Sequence, residues 1–290
     1  MAPKTKGSTE AFKALARSMY FSNESCEWFI QEASAGQIQI ACRLIEVEQE
    51  VRARRKKERL FRKAAFPQTK SFDGYDFSQV GFPEGYGAED LKSLEFIERA
   101  QDFVFHGQTG RGKTHLAIAV GRAAVEAGRC VRFFTTAGLV LQLTKAKREG
   151  CLDRHLADID KSDLVILDEF GYMPIDPEGA RLLFQVISNC YERRSLILTT
   201  NIEFSKWGMI LGDEKLAAAA IDRIVHHGRL VEFGGESKRM GDSLMLGRQS
   251  RQVGIRCRSV DSGQAKVSIF LLPNTTVPST QTRPWRTPGS

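Results

Sequence analysis

The chain has 290 residues, 42% of them hydrophobic and 27% charged, a composition that excludes disordered, collagenous and disulfide-framework proteins. At this length one large domain with appendages can bury roughly 75% of its unfolded surface without staples. The net charge is +7, but residues 248–290 carry seven bases against one acid and residues 50–64 carry eight against two, leaving about −5 for the rest. Each concentration of positive charge is a candidate site for a polyanion.

No apolar run approaches the ~20 residues that span a bilayer. No apolar stretch follows Met1-Ala2-Pro3-Lys4, so no secretory signal is read and a cytoplasmic location without membrane contact is expected. Cys26, Cys42, Cys130, Cys151, Cys190 and Cys257 include no CxxC pair. They suggest neither a zinc site nor a redox motif, and are expected to be reduced and mostly buried.

Residues 1–66 read as a helical N-terminal region. Ser8-Thr9-Glu10 can cap a first helix containing Phe12, Leu15, Ala16 and Met19, and Ser22-Asn23-Glu24 a second. Ile40, Leu44, Val47 and Val51 share one helical face by their spacing of 4, 3 and 4, and that face needs a partner. The helix then turns strongly basic over residues 52–63 and ends before Pro67. Residues 67–95, with Phe72, Tyr75, Phe77, Phe82 and Pro83, form a linker expected to lie across a domain surface.

From residue 96 to 247 short β-branched or aromatic runs alternate with longer helical periods. The runs are Phe103-Val104-Phe105, Val131-Arg132-Phe133-Phe134, Leu164-Val165-Ile166-Leu167, Ser195-Leu196-Ile197-Leu198 and Leu230-Val231-Glu232-Phe233. Strands separated by helices predict an α/β domain with a doubly wound, parallel, five-stranded sheet covered on both faces. Residues 248–290 hold four prolines and no sustained period. They are expected to form a disordered basic tail, apart from one short strand at 267–271.

Gly107-Gln108-Thr109-Gly110-Arg111-Gly112-Lys113-Thr114 matches GxxxxGK[ST] between a predicted strand and the helical period of Leu116, Ala119, Val120 and Ala123. In such a loop successive amides and a helix N-terminus face phosphate oxygens. Lys113 would reach the β- and γ-phosphates of ATP, and Thr114 would take a Mg2+ position. Asp168, ending the apolar run 164–167, sits where a carboxylate can hold the same ion. Glu169 beside it can orient and polarise an attacking water. A kinase, whose second substrate supplies the attacking group, has less use for that carboxylate, so the pair favours an ATPase. Asn201, after Thr199-Thr200, ends the next strand and can hydrogen-bond the water or a γ-phosphate oxygen.

Residues 107–117 (GQTGRGKTHLA), 164–172 (LVILDEFGY), Arg193-Arg194-Ser195, Thr199-Thr200-Asn201 and 220–228 (AIDRIVHHG), followed by Gly235-Glu236-Ser237, resemble the IstB-like ATPases that assist insertion-sequence transposases. These are relatives of the DnaC-type helicase loaders within the AAA+ class of P-loop NTPases, and the resemblance spans roughly residues 10–246. It implies that Arg223 reaches a neighbouring subunit's nucleotide as an arginine finger, and that Arg239 stands near the second sensor position. It also implies that the segment 137–157 faces DNA, with Lys145, Lys147, Arg148 and Arg154 available for sequence-independent phosphate contacts. The expected protein is an ATP-dependent homo-oligomer on DNA that serves a transposase, with partner or DNA contacts in its N-terminal helices. A DnaC-like replicative helicase loader is the alternative. A binding module that hardly turns over is a third reading, against which the Asp168-Glu169 pair argues.

Overall fold

Serines cap the second and third helices, whereas Ser8, expected to cap the first, lies within it. In the computed structural model, which describes residues 6–235, helix α1 (Lys6–Ser18) is followed by α2 (Asn23–Glu32), whose N-cap Ser22 accepts the Ser25 N–H. Helix α3 (Ala35–Ala64) starts with a reciprocal capping box between Ser34 and Gln37 and ends at Ala65 in the left-handed conformation, two residues before Pro67. The three helices close on a small core of Phe12, Ala16, Cys26, Ala33, Ile38 and Ile45.

The stripe expected to be covered is not. Ile40 and Leu44 are 71% and 68% exposed and Val47 is exposed as well, because α1 packs instead on Ile38, Ala41, Cys42 and Ile45, one position round the helix. The C-terminal end of α3 belongs to the next layer, where Leu60, Phe61 and Ala64 pack beneath the central sheet. There Lys63 and Arg132 share the carboxylate of Asp158, which holds that carboxyl below its usual range.

Among the described residues the sheet has six strands, one more than expected. Strands β2 (Asp102–Gly107), β3 (Val131–Thr135), β4 (Leu164–Phe170), β5 (Ser195–Thr200) and β6 (Gly228–Phe233) are the five parallel runs read from the sequence. The sixth, β1 (Val80–Gly81), comes from the aromatic linker and adds antiparallel to β6, giving the order β1-β6-β2-β5-β4-β3. Two residues give no hydrophobic period, so the linker composition concealed it.

Alternation along the strands separates two cores. Val104, Val165, Leu167, Leu196 and Leu198 face one side, and Phe103, Phe105, Leu164, Ile166, Ile197 and Val231 the other. The first side is covered by α7 (Thr136–Arg148), α8 (Leu152–Ile159), α9 (Pro177–Cys190), α10 (Trp207–Leu211) and α11 (Glu214–His226). The second is covered by the end of α3, the short helices α4 (Ala88–Ser93) and α5 (Glu95–Glu98), α6 (Lys113–Glu126) and the linker aromatics. The doubly wound P-loop architecture is thus present, with one strand added at its edge.

Of the five cysteines among the described residues, none is in a disulfide, and only Cys26 and Cys190 are fully buried. The others are half-buried at helix surfaces and strand entries, so the expectation of mostly buried thiols does not hold. No helix of the described residues is long and apolar enough to cross a membrane. Cys257, Arg239, the segment Glu236-Ser237, the expected strand at 267–271 and the basic tail all lie outside the described residues.

Candidate nucleotide site

Strand β2 delivers its chain to the phosphate loop through Gly107, whose φ is +151°. A Cβ there would stand 2.5 Å from the carbonyl oxygen of Phe233 on β6, so only glycine lets the loop leave the sheet at this point. The loop is then fastened on both flanks. Arg111 donates to the Phe233 carbonyl at 3.1 Å and to Gln108 Oε1 at 3.0 Å. From the linker, Tyr75 donates to the Gly112 carbonyl at 3.3 Å and its ring lies 5.0 Å from that of His115. Burial pushes the Tyr75 phenol above its ordinary range, keeping it a neutral donor.

Lys113 is buried and its Nζ donates to the carbonyls of Gly107 and Gln108, at 2.5 and 2.9 Å. The ammonium is therefore curled over its own loop, where a phosphate oxygen can compete for it. Thr114 Oγ1 donates to Asp168 Oδ1 at 2.8 Å. These two hard oxygen donors, one from the helix start and one from the strand end, fit a Mg2+ ion that keeps several waters.

The decisive local feature is a bulge in β4. Leu167 pairs with Leu198 and Phe170 with Thr200, so Asp168 and Glu169 together face the single residue Thr199. Glu169 takes a positive φ of 59° to accommodate the extra residue, a conformation uncommon outside glycine, asparagine and aspartate. One hydroxyl holds the irregularity: Thr199 Oγ1 donates to Asp168 Oδ1 at 2.5 Å and accepts the Glu169 N–H at 3.0 Å. Thr136 adds a bond to the Asp168 carbonyl. The result is a buried Asp168 beside an exposed Glu169. Adjacent carboxylates in an unbroken strand would point to opposite faces, an alternation that the bulge interrupts between Asp168 and Glu169.

Asn201 follows β5 and lines a cleft of about 450 Å³ with Gly107, Gln108 and Arg111. Its Oδ1 is buried with no hydrogen-bond partner among the described residues, an unsatisfied acceptor at the end of β5. The structure thus brings together Gly107, Gln108, Thr109, Gly110, Arg111, Gly112, Lys113, Thr114, Asp168, Glu169 and Asn201. It adds three residues to which the sequence reading gave no role: Thr199, Tyr75 and Tyr172, whose hydroxyl lies 2.8 Å from Thr109 Oγ1. Thr199 had a signal, since a hydroxyl at a strand end beside the acidic pair is placed to bond it.

Other expected residues stand apart. Arg223 lies on α11, where its guanidinium stacks 4.8 Å from the Phe184 ring and donates to the Ala219 carbonyl. Lys145, Lys147, Arg148 and Arg154 are all exposed on α7 and α8, but Lys147 already pairs with Glu178 at 2.7 Å and Lys145 with Glu149 at 3.8 Å.

Residues 17–245 match the IstB-like ATP binding protein family. The chain is 39% identical over 203 residues to a Geobacillus stearothermophilus protein named as the ATP-binding protein of insertion sequence IS5376, covering 70% of this chain and 81% of that one. It is 37% identical over 206 residues to the Pseudomonas aeruginosa protein so named for insertion sequence IS21, covering 71% and 78%. Among solved structures, the replication initiator DnaA bound to AMPPCP and single-stranded DNA is 19% identical, with a TM-score of 0.48 over 60% of this chain and 53% of that one. The chain, with its phosphate loop, its acidic strand end and a family match over most of its length, belongs to the IstB-like ATP-binding proteins.

Proposed function

We propose that this protein is an AAA+ ATPase that assembles with ATP into an oligomer on DNA and assists the transposase of an insertion sequence. The β4 bulge carries the proposal: it sets an exposed Glu169 directly after an Asp168 that is bonded to Thr114 of the phosphate loop, which supports a role for Glu169 at the γ-phosphate. The insertion-sequence names of the relatives support the biological setting.

ATP phosphates would draw Lys113 from the Gly107 and Gln108 carbonyls, and the loop amides would take up the remaining oxygens. Thr114 and Asp168 would hold Mg2+, which supplies charge neutralisation at the β- and γ-phosphates. Glu169 orients a water and accepts its proton as the water oxygen bonds to the γ-phosphorus and the bond to the β-phosphate oxygen breaks. Asn201, which lines the cleft beside Gly107 and Gln108, would hydrogen-bond the water or a γ-phosphate oxygen. Arg223 of a neighbouring subunit would neutralise the charge that develops on the γ-phosphoryl group, so hydrolysis depends on assembly. Exposed Arg148 and Arg154, with Lys145 and Lys147 exchanging their carboxylates for phosphates, would bind the DNA backbone without reading sequence. The basic end of α3 would add to that affinity.

Glu169→Gln tests the proposal. It keeps size and hydrogen bonding but removes the base, so ATP should still bind while phosphate release collapses and the protein accumulates in DNA-bound oligomers. Turnover equal to that of the parent protein would remove Glu169 from the chemistry.

A further inference from the structure

At the opposite edge of the sheet, Glu192, His226 and His227 converge outside the nucleotide site, with one potential ligand atom from each within 4.8 Å of the others. We propose that they form a site for a divalent transition cation of the zinc type, which ties the turn after α9 to the end of α11.

The donor set is two imidazoles and a carboxylate, which suits zinc-like ions far better than Mg2+ or Ca2+. His227 Nε2 and Glu192 Oε1 are 3.3 Å apart. Two ligands bonded at about 2.0–2.2 Å to a tetrahedral ion are separated by roughly 3.3–3.5 Å, so this pair already spans one edge of the coordination figure. The third donor is oriented from behind: Tyr191 OH lies 2.8 Å from His226 Nδ1, leaving Nε2 for the ion. Such outer hydrogen bonds commonly fix the ring of a metal-binding histidine.

The backbone also converges on the site. Glu192 has a φ of +57°, the left-handed bend that turns its side chain back toward α11. His227 is the C-cap of that helix, where the unsatisfied carbonyl end of the helix favours a cation, and its own carbonyl is fixed by the Asp102 N–H at 3.1 Å. All three ligand residues are at least partly open to solvent, so water can complete the coordination.

A bound ion would brace the end of α11 one turn after Arg223. That consequence rests on the finger role proposed above, whereas the metal site does not. Tag-free full-length protein titrated with Co2+ tests it. The expected result is one equivalent bound per chain, displaced by Zn2+ and lacking a thiolate charge-transfer band, with at least tenfold weaker binding in His226→Ala/His227→Ala and in Glu192→Gln. Tyr191→Phe, which removes no ligand, should weaken binding about 10- to 100-fold. Lys113→Ala should bind Co2+ like the parent, which separates this site from the nucleotide reading. No stoichiometric binding by the folded parent, undiminished binding by the double histidine variant, or a thiolate spectrum would each overturn the proposal.

Discussion

The carboxyl edge of the sheet and the long helix α3 both place a handful of side chains, and they differ in what does the placing. At the edge, the residues that meet are chain neighbours or lie near strand ends: Lys113 and Thr114 open α6, Asp168 and Glu169 precede the last residue of β4, and Thr199 and Asn201 flank the last residue of β5. Once the strands pair, covalent connection leaves them little freedom. On α3 two stripes satisfy the same helical spacing, Ile38-Ala41-Cys42-Ile45 and Ile40-Leu44-Val47-Val51, and only packing against α1 selects the first. Chemistry at strand ends is therefore specified locally, while a helix face is specified by its neighbour.

Truncating the two stripes should break that symmetry most strongly. Ile38 is fully buried, so Ile38→Ala should cost about 2–5 kcal/mol, the range for a buried Ile or Leu cut to Ala. Leu44→Ala, on the exposed stripe, should stay within about 0.5 kcal/mol of the parent. Denaturant titration of both variants checks this. Equal losses would mean that the outer stripe is covered in the free protein.

The edge is probed next by Lys113→Ala. A phosphate would lose charge-assisted bonds worth about 1.5–3 kcal/mol each, so ATP affinity should fall at least about tenfold while the thermal transition persists. Unchanged affinity, measured by equilibrium binding to the folded variant, would mean that the curled ammonium never leaves its loop carbonyls. The smallest effect is expected on the outer surface of α7. Neutralising Lys145, Lys147 and Arg148 together should weaken DNA binding alike for all sequences and flatten the salt dependence by up to about 0.9 per lost duplex phosphate contact. Deleting residues 248–290 should do less, and the reverse ranking would assign DNA contact to the tail.

The phosphate loop, the five parallel strands and the positions of Asp168, Glu169 and Asn201 at or near strand ends could be read from contiguous residues. The β4 bulge could not, because an extra residue in a strand is visible only against its partner: LVILDEF reads as regular until Leu167 and Phe170 are matched to Leu198 and Thr200. Thr199 is visible as a hydroxyl near a strand end, but its paired bonds to Asp168 Oδ1 and the Glu169 N–H follow only once the bulge sets two residues opposite it. Strand β1 and the contact of Tyr75 with Gly112 arise where a turn-rich linker folds back on the sheet, a tertiary event with no local period. His226 and His227 could be read as neighbours, but Glu192 joins them through the αL bend after α9.

Subunit complementation tests the shared site most directly. Glu169→Gln keeps Arg223 but lacks the base, and Arg223→Ala keeps the base but lacks the finger; fingers contribute about 10³–10⁵ in rate in other phosphoryl-transfer systems. Each variant alone should bind ATP and turn over little. Mixed on DNA with ATP, they should regain a measurable part of the parent's phosphate release, since one subunit supplies Arg223 to a neighbour with Glu169. If the two proteins co-assemble and the mixture stays as inactive as its components, the site is not shared and Arg223 serves only the packing of α11 on α9, through Phe184 and Ala219.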